Sequence, residues 1–443
     1  MSGRRGLAVV LLAMAGFLAA APAPAAEQRF PLPDFTNHKI PTVEVPSAPG
    51  MLGSYLDLAA LVVALAAASY FAIWGRSRRG LFLLSLASLA WFGFWRKGCI
   101  CSIGSIQNVT LAIFDSSYTV PVTVVAILVL PIVFTLFFGR GFCAAVCPLG
   151  AMQELVAIRP VKVPAWLDQA LGLFAYVYLG AAVIFAATGA GFLICRFDPY
   201  VAMFRLTGSA NMLIFGGAML AIGLFVGRPY CRYLCPLGAI FGICSKMSKW
   251  HLQIPPKDCI ECRLCEDACP YGAIRAPTKP RDAAGRIAAR QRLTLALLAA
   301  PLLVAACAWL GNYLGVAMAK MEPAVRLAER VRLEETHQVE GTIDASDAFR
   351  NTGRPTEDLY RAAMNLIARY GWLGVLLGGW TGLVVAAKLI FLCLGRQSKE
   401  FAPDQAACVS CGRCFWYCPP EQARLGWIQE GQLLQFTTAE ETP

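Results

Sequence analysis

The chain has 443 residues, of which 57% are hydrophobic and 15% are charged, and its formal net charge is +11. With a mean hydropathy of +0.55, this composition is too apolar for an ordinary soluble globular protein. Most of the 18 cysteines fall in runs that contain Cys-Pro, which indicates metal ligation in a reducing compartment rather than a scattered disulfide framework. The fold class predicted is an all-α polytopic membrane protein with a small cysteine-rich module.

Residues 1–25 have the three regions of a secretory signal peptide. Arg4 and Arg5 precede an apolar stretch over residues 6–20, and small residues follow at 23–25. Cleavage after this segment is predicted, and an uncleaved signal anchor is the alternative that gives the same topology. Residues 26–54, rich in proline and polar groups, are then a periplasmic lead-in without a fold of its own.

Seven later segments are apolar enough to form transmembrane helices, two of them by extending into their flanks. They cover residues 58–74, 81–95, 122–138, 171–194, 212–226, 293–316 and 372–394. Loops with Arg76, Arg78 and Arg140, and the long loop over residues 228–292, hold the basic excess. The positive-inside rule therefore predicts a multi-pass protein of the bacterial inner membrane with these loops in the cytoplasm; the reversed topology is the alternative.

This topology predicts an order of segments along the chain. A transmembrane bundle over residues 55–250 is followed by a cytoplasmic segment, a membrane helix, a periplasmic helical segment, a last membrane helix and a second cytoplasmic segment. These five segments are residues 251–292, 293–316, 317–371, 372–394 and 395–443. The periplasmic segment is expected to form two amphipathic helices, 323–335 and 355–370, joined by a polar loop.

Two cysteine runs have the bacterial ferredoxin spacing Cys-x2-Cys-x2-Cys-x3-Cys-Pro. Three thiolates two residues apart wrap one cluster, while the cysteine before proline reaches a neighbouring cluster, so two 4Fe–4S clusters with exchanged fourth ligands are predicted. A zinc site is the alternative, disfavoured because two complete runs are more specific than a paired Cys-x2-Cys. The predicted ligands are Cys259, Cys262, Cys265 and Cys269 in the first run and Cys408, Cys411, Cys414 and Cys418 in the second. Both runs are predicted on the cytoplasmic side.

An internal repeat carries four further cysteines. Residues 138–151 recur as residues 226–239, and each copy contains a Cys-x3-Cys-Pro turn. The turns could hold an extra cofactor, act as redox thiols or dock the ferredoxin part, and structural packing is the alternative. A degraded echo at residues 101–107 matches residues 147–153 without the proline. The cysteines concerned are Cys143 and Cys147 in the first turn and Cys231 and Cys235 in the second.

A third set of polar residues is predicted at the outer membrane boundary. An oxidising compartment favours a disulfide among Cys99, Cys101 and Cys195, and a redox cofactor there is the alternative. Nearby, Asp198 and Tyr200, with Arg196, would suit a quinol head group or would close a helix turn.

Several cofactor motifs do not occur in the sequence. It has no Cys-x2-Cys-His haem attachment site, no Gly-x-Gly-x-x-Gly loop and no Walker-type loop,. With three histidines in the chain, ligands for a bis-histidine haem are scarce. No haem is therefore expected, no flavin is evident, and no nucleic-acid partner is predicted.

Two Cys-x3-Cys-Pro turns after membrane helices, followed by ferredoxin runs, resemble the membrane polyferredoxins of the NapH and NosR type over residues 55–428. The resemblance implies an electron-transfer protein between the quinone pool or a cytoplasmic donor and a periplasmic reductase of nitrous oxide or nitrate. A quinol dehydrogenase subunit in denitrification is one form of this expectation. A redox-sensing regulatory or assembly factor for a periplasmic metalloenzyme, working with its maturation factors, is the alternative.

The sequence departs from both named types. NosR carries a large exported flavin-binding domain before its membrane part, which this sequence lacks, whereas a minimal NapH has fewer helices. The two ferredoxin runs are also split here around residues 320–369. The resemblance therefore leaves the electron donor and acceptor open.

Overall fold

The computed structural model describes residues 51–98, 100–158, 160–205, 210–254, 259–278, 283–394 and 401–429. The predicted signal peptide, most of the lead-in and Cys99 lie outside these residues. The chain forms two compact units, one from residues 50–290 and 394–443 and the other built on residues 291–393. Both units are mostly helical.

The first unit contains a helical bundle interrupted by short turns. Its helices are Met51–Ile73, Arg78–Ser88, Ser102–Phe114, Val122–Phe138, Pro148–Val156, Ala165–Ala187, Leu193–Phe197, Pro199–Arg205, Ala210–Gly223, Pro229–Tyr233 and Pro236–Cys244. Two π-helical turns, Leu89–Trp95 and Phe142–Val146, and a 3-10 turn, Ser245–Met247, complete it. Four of the helices begin with proline, because its fixed φ suits the first helical position and its missing N–H is not needed there.

The ferredoxin-type residues of the first unit form short elements. They are the helices Leu264–Asp267, Arg413–Trp416 and Pro419–Arg424 and the strands Ile274–Arg275 and Ala402–Pro403. The strands pair antiparallel, with Ile274 opposite Pro403 and Arg275 opposite Ala402. This pairing joins the two cysteine runs into one body, called here the ferredoxin module (described residues 259–278 and 401–429).

The second unit is built on long helices. Ala283–Ala319, which begins in the first unit, is followed by Pro323–Glu335, Asp344–Asn351 and Thr356–Leu394. The predicted helix over 323–335 has the same bounds in the structure. The predicted helix 355–370 and the predicted last span form one 39-residue helix instead, because the single Gly371 between them does not interrupt helical hydrogen bonding. The predicted polar loop also contains a helix, Asp344–Asn351.

Glycines allow two helices of the second unit to cross closely. A Cβ atom added at Gly311 would lie 2.1 Å from the carbonyl oxygen of Gly374, and one added at Gly378 would lie 2.2 Å from the carbonyl oxygen of Cys307. No side chain fits at either distance. Backbones in such contact are typical of small-residue packing between membrane helices.

Among the residues that the structure describes, four helices are long and apolar enough to cross a membrane, or five if one bent pair makes a single span. They are Leu52–Ile73, Ala165–Ala187, Ile287–Ala319 and Thr356–Leu394, with Pro199–Arg205 and Ala210–Gly223 as the bent pair. The sequence predicted seven spans. Two predicted spans account for the difference. At residues 81–95, an 11-residue α-helix passes into a π-helical turn. The helix Val122–Phe138 has 17 residues and is shorter than each of the four long helices.

Candidate iron–sulfur centres

The first group of ferredoxin-type cysteines combines both runs. The side chain of Cys265 is close enough to interact electrostatically with Cys259 and Cys262 from its own run and with Cys418 from the second run. Cysteines that interact in this way are described below as within electrostatic range. Cys418 in turn lies within range of Cys259 and Cys262. The four side chains line one small cavity. This is the grouping that an exchanged fourth ligand requires.

The second group is the mirror of the first. Cys414 lies within electrostatic range of Cys408 and Cys411 from its own run and of Cys269 from the first run. Cys408 and Cys411 are also each within range of Cys269. In each run, therefore, the first three cysteines lie in one group, and the cysteine before proline lies in the group formed by the other run.

The backbone of the two cysteine runs turns in the same way. The residues two and four positions after the first cysteine are left-handed in both, with φ of 55° at Glu261 and Arg263, 54° at Ser410 and 77° at Gly412. Three of these are not glycine, and such residues adopt positive φ at a cost when the surroundings require it. Turns with left-handed residues form concavities of backbone N–H groups that suit anionic centres.

Backbone N–H groups already point at cysteine sulfurs in both runs. The N–H of Ser410 donates to Cys408 Sγ at 3.4 Å, and the N–H of Ala273 donates to Cys269 Sγ at 3.4 Å. Burial raises the pKa of Cys265 and of Cys408 to about 12.

Arginines from the bundle hold the ferredoxin module. Arg76 pairs with Glu421 at 2.9 Å, Arg78 donates to the carbonyl oxygen of Cys411 at 2.8 Å, and Arg140 donates to that of Ala406 at 2.7 Å. Arg232 donates to the carbonyl oxygen of Tyr271 at 2.8 Å. The basic loop residues that indicated orientation in the sequence therefore also bind the module.

Glu154 is the centre of a buried charge network that the sequence did not reveal. Its carboxylate contacts Arg78 and Arg228, and Arg413 of the ferredoxin module lies 3.5 Å away. Burial alone would raise the pKa of Glu154, but the guanidinium groups of Arg228 and Arg78 lower it to about 2. One carboxylate thus links the first cysteine turn, the second cysteine turn and the module.

The two Cys-x3-Cys-Pro turns meet in the structure. Cys147 lies within electrostatic range of Cys143 and Cys231, and Cys235 lies within range of all three. Cys147 and Cys235 are buried in the bundle core, with Cys143 and Cys231 packed against it. These four residues are called here the four-cysteine site.

Each cysteine turn is completed by the arginine of the other turn. A Cβ atom at Gly150 would lie 3.0 Å from Arg228 Nη1, and one at Gly238 would lie 3.4 Å from Arg140 Nη2. The glycine after each Cys-Pro-Leu therefore makes room for a guanidinium group. The internal repeat is thus a pair of interlocked turns rather than two separate helix ends.

The outer set of predicted residues is partly brought together. Cys101 lies within electrostatic range of Cys195 and Asp198, and both cysteines are free thiols, so the predicted disulfide is not formed between them. Asp198 is buried and accepts a hydrogen bond from the Tyr200 N–H at 2.9 Å. That bond closes the start of helix Pro199–Arg205, which was the alternative to a quinol contact. Arg196 is exposed beside them.

Within the residues that the structure describes, no three His, Cys, Asp or Glu side chains form a group that could hold a single metal ion. Sequence reasoning also missed two buried glutamines. Gln153 and Gln107 are each 0% exposed, and they occupy the same position in residues 147–153 and in the degraded echo over residues 101–107. That shared position was a signal that could have identified them.

Comparison with known proteins places these features in a family. Two profiles described as "4Fe-4S binding domain" match the chain, one over residues 120–165 and 209–255 and the other over residues 252–275. The first profile covers both Cys-x3-Cys-Pro turns, and the second covers the first ferredoxin run. No solved structure matches the chain.

Three relatives illustrate the similarity. Protein NirI of Paracoccus denitrificans is 33% identical over 225 residues, which are 46% of this chain and 32% of NirI. An uncharacterized protein of Methanocaldococcus jannaschii is 30% identical over 41% of this chain and 76% of its own length. The ferredoxin-type protein NapH of Escherichia coli is 26% identical over 50% of this chain and 85% of NapH.

The match thus spans about a third of NirI but most of the shorter relatives. The chain belongs to the membrane-type 4Fe–4S ferredoxin proteins, together with NirI, NosR and NapH.

Proposed function

We propose that the ferredoxin module binds two 4Fe–4S clusters whose fourth ligands are exchanged between the runs. When bound, the clusters supply reversible one-electron transfer. The observation that carries this proposal is the sorting of eight cysteines into two groups of four. The ligands of one cluster are Cys259, Cys262, Cys265 and Cys418, and those of the other are Cys269, Cys408, Cys411 and Cys414.

The protein's residues would hold these clusters in a protected setting. Paired strands bring the two runs together, left-handed turns direct N–H groups towards the sulfurs, and bundle arginines neutralise the net negative charge of thiolate-ligated clusters,. Because the two groups share one small module, the clusters would exchange electrons directly.

The proposed role is electron transfer at the bacterial inner membrane, with the ferredoxin module on the cytoplasmic side of seven spans that follow a signal peptide. Electrons would pass between the quinone pool or a cytoplasmic donor and a periplasmic reductase system of the denitrification type. The arginines that dock the module, Arg76, Arg78, Arg140 and Arg232, support a cytoplasmic module through the positive-inside rule. A hydrocarbon core of about 30 Å separates the module from the periplasm, so a relay is needed.

Serine variants test the exchanged ligands. Iron and acid-labile sulfide are measured in the purified full-length protein, and low-temperature EPR spectra are recorded after reduction with dithionite. Cys418→Ser should alter the same EPR signal as Cys262→Ser, and Cys269→Ser the same signal as Cys411→Ser. Cys244→Ser is the control, because Cys244 belongs to neither group. If Cys418→Ser instead alters the signal of its own run, or if the protein contains zinc, the proposal is wrong.

A regulatory or assembly role is the second candidate, because one relative is named regulatory protein NosR. It is 26% identical to this chain over 216 residues, which are 29% of its own length. Reduction of the clusters by a quinol in purified protein supports electron transfer. Clusters that no quinol reduces, in a protein that still binds a periplasmic metalloenzyme, would favour the regulatory role.

A further inference from the structure

A basic and aromatic cavity lies where the ferredoxin module meets the bundle, within the first unit of the chain. Its volume is about 370 Å³. The turn over residues 75–79, between two bundle helices, forms one wall, and residues 416–427 of the module form the other. Among the described residues, its lining includes no cysteine, so the cavity is separate from the sulfur sites. The lining residues are Gly75, Arg76, Ser77, Arg79, Trp416, Leu425 and Trp427.

The wall that comes from the bundle is a fixed corner. Helix Met51–Ile73 ends just before it, and Arg76 in the turn is left-handed, with φ of 43°. Ser77 Oγ then accepts a hydrogen bond from the Gly80 N–H at 3.1 Å and caps the helix Arg78–Ser88. A side-chain cap of this kind stabilises the first turn of a helix. The basic side chains of the corner therefore start from a defined backbone.

The wall that comes from the module is also built without a ligand. The rings of Trp416 and Trp427 pack edge to face, with their centroids 4.7 Å apart. Gln422 holds both residues, because its Nε2 donates to the carbonyl oxygen of Trp416 at 2.8 Å and its own carbonyl oxygen accepts from the Trp427 N–H at 2.8 Å. Trp427 is 51% exposed. An aromatic surface is thus held in place and remains open to a ligand.

The charge around the cavity favours an anion. Arg76 and Arg424 share the carboxylate of Glu421, at 2.9 and 2.7 Å, and this carboxylate is fully buried. Arg79 forms no ion pair with any residue that the structure describes, and its guanidinium group lies over the Trp416 ring at 5.5 Å. Three guanidinium groups therefore accompany one carboxylate. The planar donor fork of arginine matches the geometry of a phosphate group.

Aromatic residues beside the cavity indicate a membrane boundary. Trp74, which directly precedes the turn, is 56% exposed and packs against Phe138 with ring centroids 5.9 Å apart. Phe138 stacks on Trp250 at 5.6 Å, and Lys249 Nζ lies 4.7 Å from the Trp250 ring. Trp74 follows Met51–Ile73, whose residues from Leu52 onward form a candidate membrane span. Tryptophans and basic residues at the ends of spanning helices are typical of the lipid headgroup region.

An apolar surface continues from Arg79 along the next helix. Leu83 lies four residues after Arg79 on Arg78–Ser88, so both side chains are on one face of the helix. Leu83 is 65% exposed. A phosphate group at Arg79 would therefore have an apolar side chain one helical turn away, which suits an attached acyl chain and which inorganic phosphate would not require.

We propose that this cavity binds the headgroup of an anionic phospholipid. Arg79 contacts the phosphate, Arg76 adds positive charge, and Trp416 and Trp427 pack beside the headgroup. Because Arg79 belongs to the bundle and both tryptophans belong to the module, the bound lipid stabilises the docking of the module at the membrane surface. The lipid takes no part in the proposed electron transfer.

Native mass spectrometry of the full-length protein in detergent tests the site, with phosphatidylglycerol as the probe and phosphatidylcholine as the comparison without net charge. The wild type should retain phosphatidylglycerol in preference. Arg79→Gln should bind it about fivefold more weakly, because it removes one basic residue at the membrane surface. Arg79→Lys, which keeps the charge, should retain most of the binding. The matched control is Lys249→Gln, since Lys249 also lies over a tryptophan but does not line the cavity.

Three results would overturn the proposal. The first is equal retention of phosphatidylglycerol by the wild type and Arg79→Gln. The second is an equal loss in Lys249→Gln, which would show general attraction of the basic surface for anionic lipid. The third is displacement of the lipid by inorganic phosphate at the same concentration, which would assign the cavity to free phosphate.

Thermal unfolding of the full-length protein gives a second measurement that does not depend on lipid retained during purification. A ligand that binds only the folded protein raises its unfolding midpoint. Added phosphatidylglycerol should raise the midpoint of the wild type more than phosphatidylcholine does, and this difference should shrink in Arg79→Gln and in Trp427→Ala. Without added lipid, Arg79→Gln should unfold like Lys249→Gln, because both side chains are exposed. An equal rise in the wild type and Arg79→Gln would contradict the proposal.

Discussion

The ferredoxin module and the four-cysteine site bring cysteines together in two different ways. In the module, three of the four cysteines in each group come from seven consecutive residues, and left-handed residues at fixed positions shape each run. In the four-cysteine site, each turn contributes two cysteines, and the arginine of one turn packs on the glycine of the other. Local backbone therefore shapes the first kind of site, and packing between distant helices shapes the second. Substitutions that disturb packing between helices should therefore affect the two kinds of site differently.

The largest expected effect on the free energy of unfolding is that of Glu154→Ala, which removes the carboxylate that links the two kinds of site. It leaves Arg228, which is 2% exposed, without its carboxylate. Breaking one partner of a buried ion pair costs about 3–5 kcal/mol. Thermal or denaturant unfolding in detergent measures the loss. The control is Glu329→Ala, whose exposed pair with Arg332 at 3.0 Å contributes about 0.2–1 kcal/mol. Equal losses in both variants would contradict the role of Glu154.

The same carboxylate predicts a dependence of stability on pH. The pKa of Glu154 falls from 4.5 to about 2 on folding, so its contribution is fully present above pH 4.5 and is lost as the pH falls towards 2. A shift of this size corresponds to on the order of 3 kcal/mol. Unfolding free energies from pH 6 to pH 3 should decline more steeply in wild type than in Glu154→Gln, which keeps the shape but cannot titrate. Parallel curves would refute the prediction.

Substitutions at two glycines in the ferredoxin module distinguish the cost of backbone strain from the cost of steric clash. At Gly412, φ is +77° and an added Cβ would lie 2.6 Å from the Phe415 ring, whereas at Gly272 φ is +59° and the nearest atom is 3.8 Å away. Gly412→Ala should therefore cost about 2–4 kcal/mol and Gly272→Ala about 1–2 kcal/mol. Unfolding and the retention of module iron measure both. If Gly272→Ala costs as much as Gly412→Ala, local crowding does not shape the second run.

The smallest effect should come from the four-cysteine site. A Cβ atom at Gly238 would lie 3.1 Å from the carbonyl oxygen of Cys231, so Gly238→Ala should cost about 1 kcal/mol through overpacking. The module's EPR signals should not change. Gly217→Ala is the matched control, since nothing lies within 4 Å of that position, and alanine in a helix should be neutral or slightly stabilising. A loss of module iron in Gly238→Ala would show that the two sites are not separable.

The elements that depend on local chemistry could be predicted from the sequence. Helix Pro323–Glu335 has its predicted bounds, because proline at its start and an amphipathic pattern act within a few turns. The cysteine runs were evident because a ferredoxin loop needs its thiolates at fixed short spacings. The span count was not determined, because apolar composition over residues 81–95 does not reveal where an α-helix passes into a π-helical turn.

By itself, the sequence determined which residues carry sulfur chemistry and that the chain is apolar, helical and related to membrane ferredoxins. The tertiary structure alone decided that the two repeated turns interlock and that Glu154 unites them with Arg413. It also placed Gln107 and Gln153 in equivalent positions. The physical reason is range. Spacing and periodicity act over a few residues, whereas these contacts join helices far apart in the chain, and burial makes each of them strong.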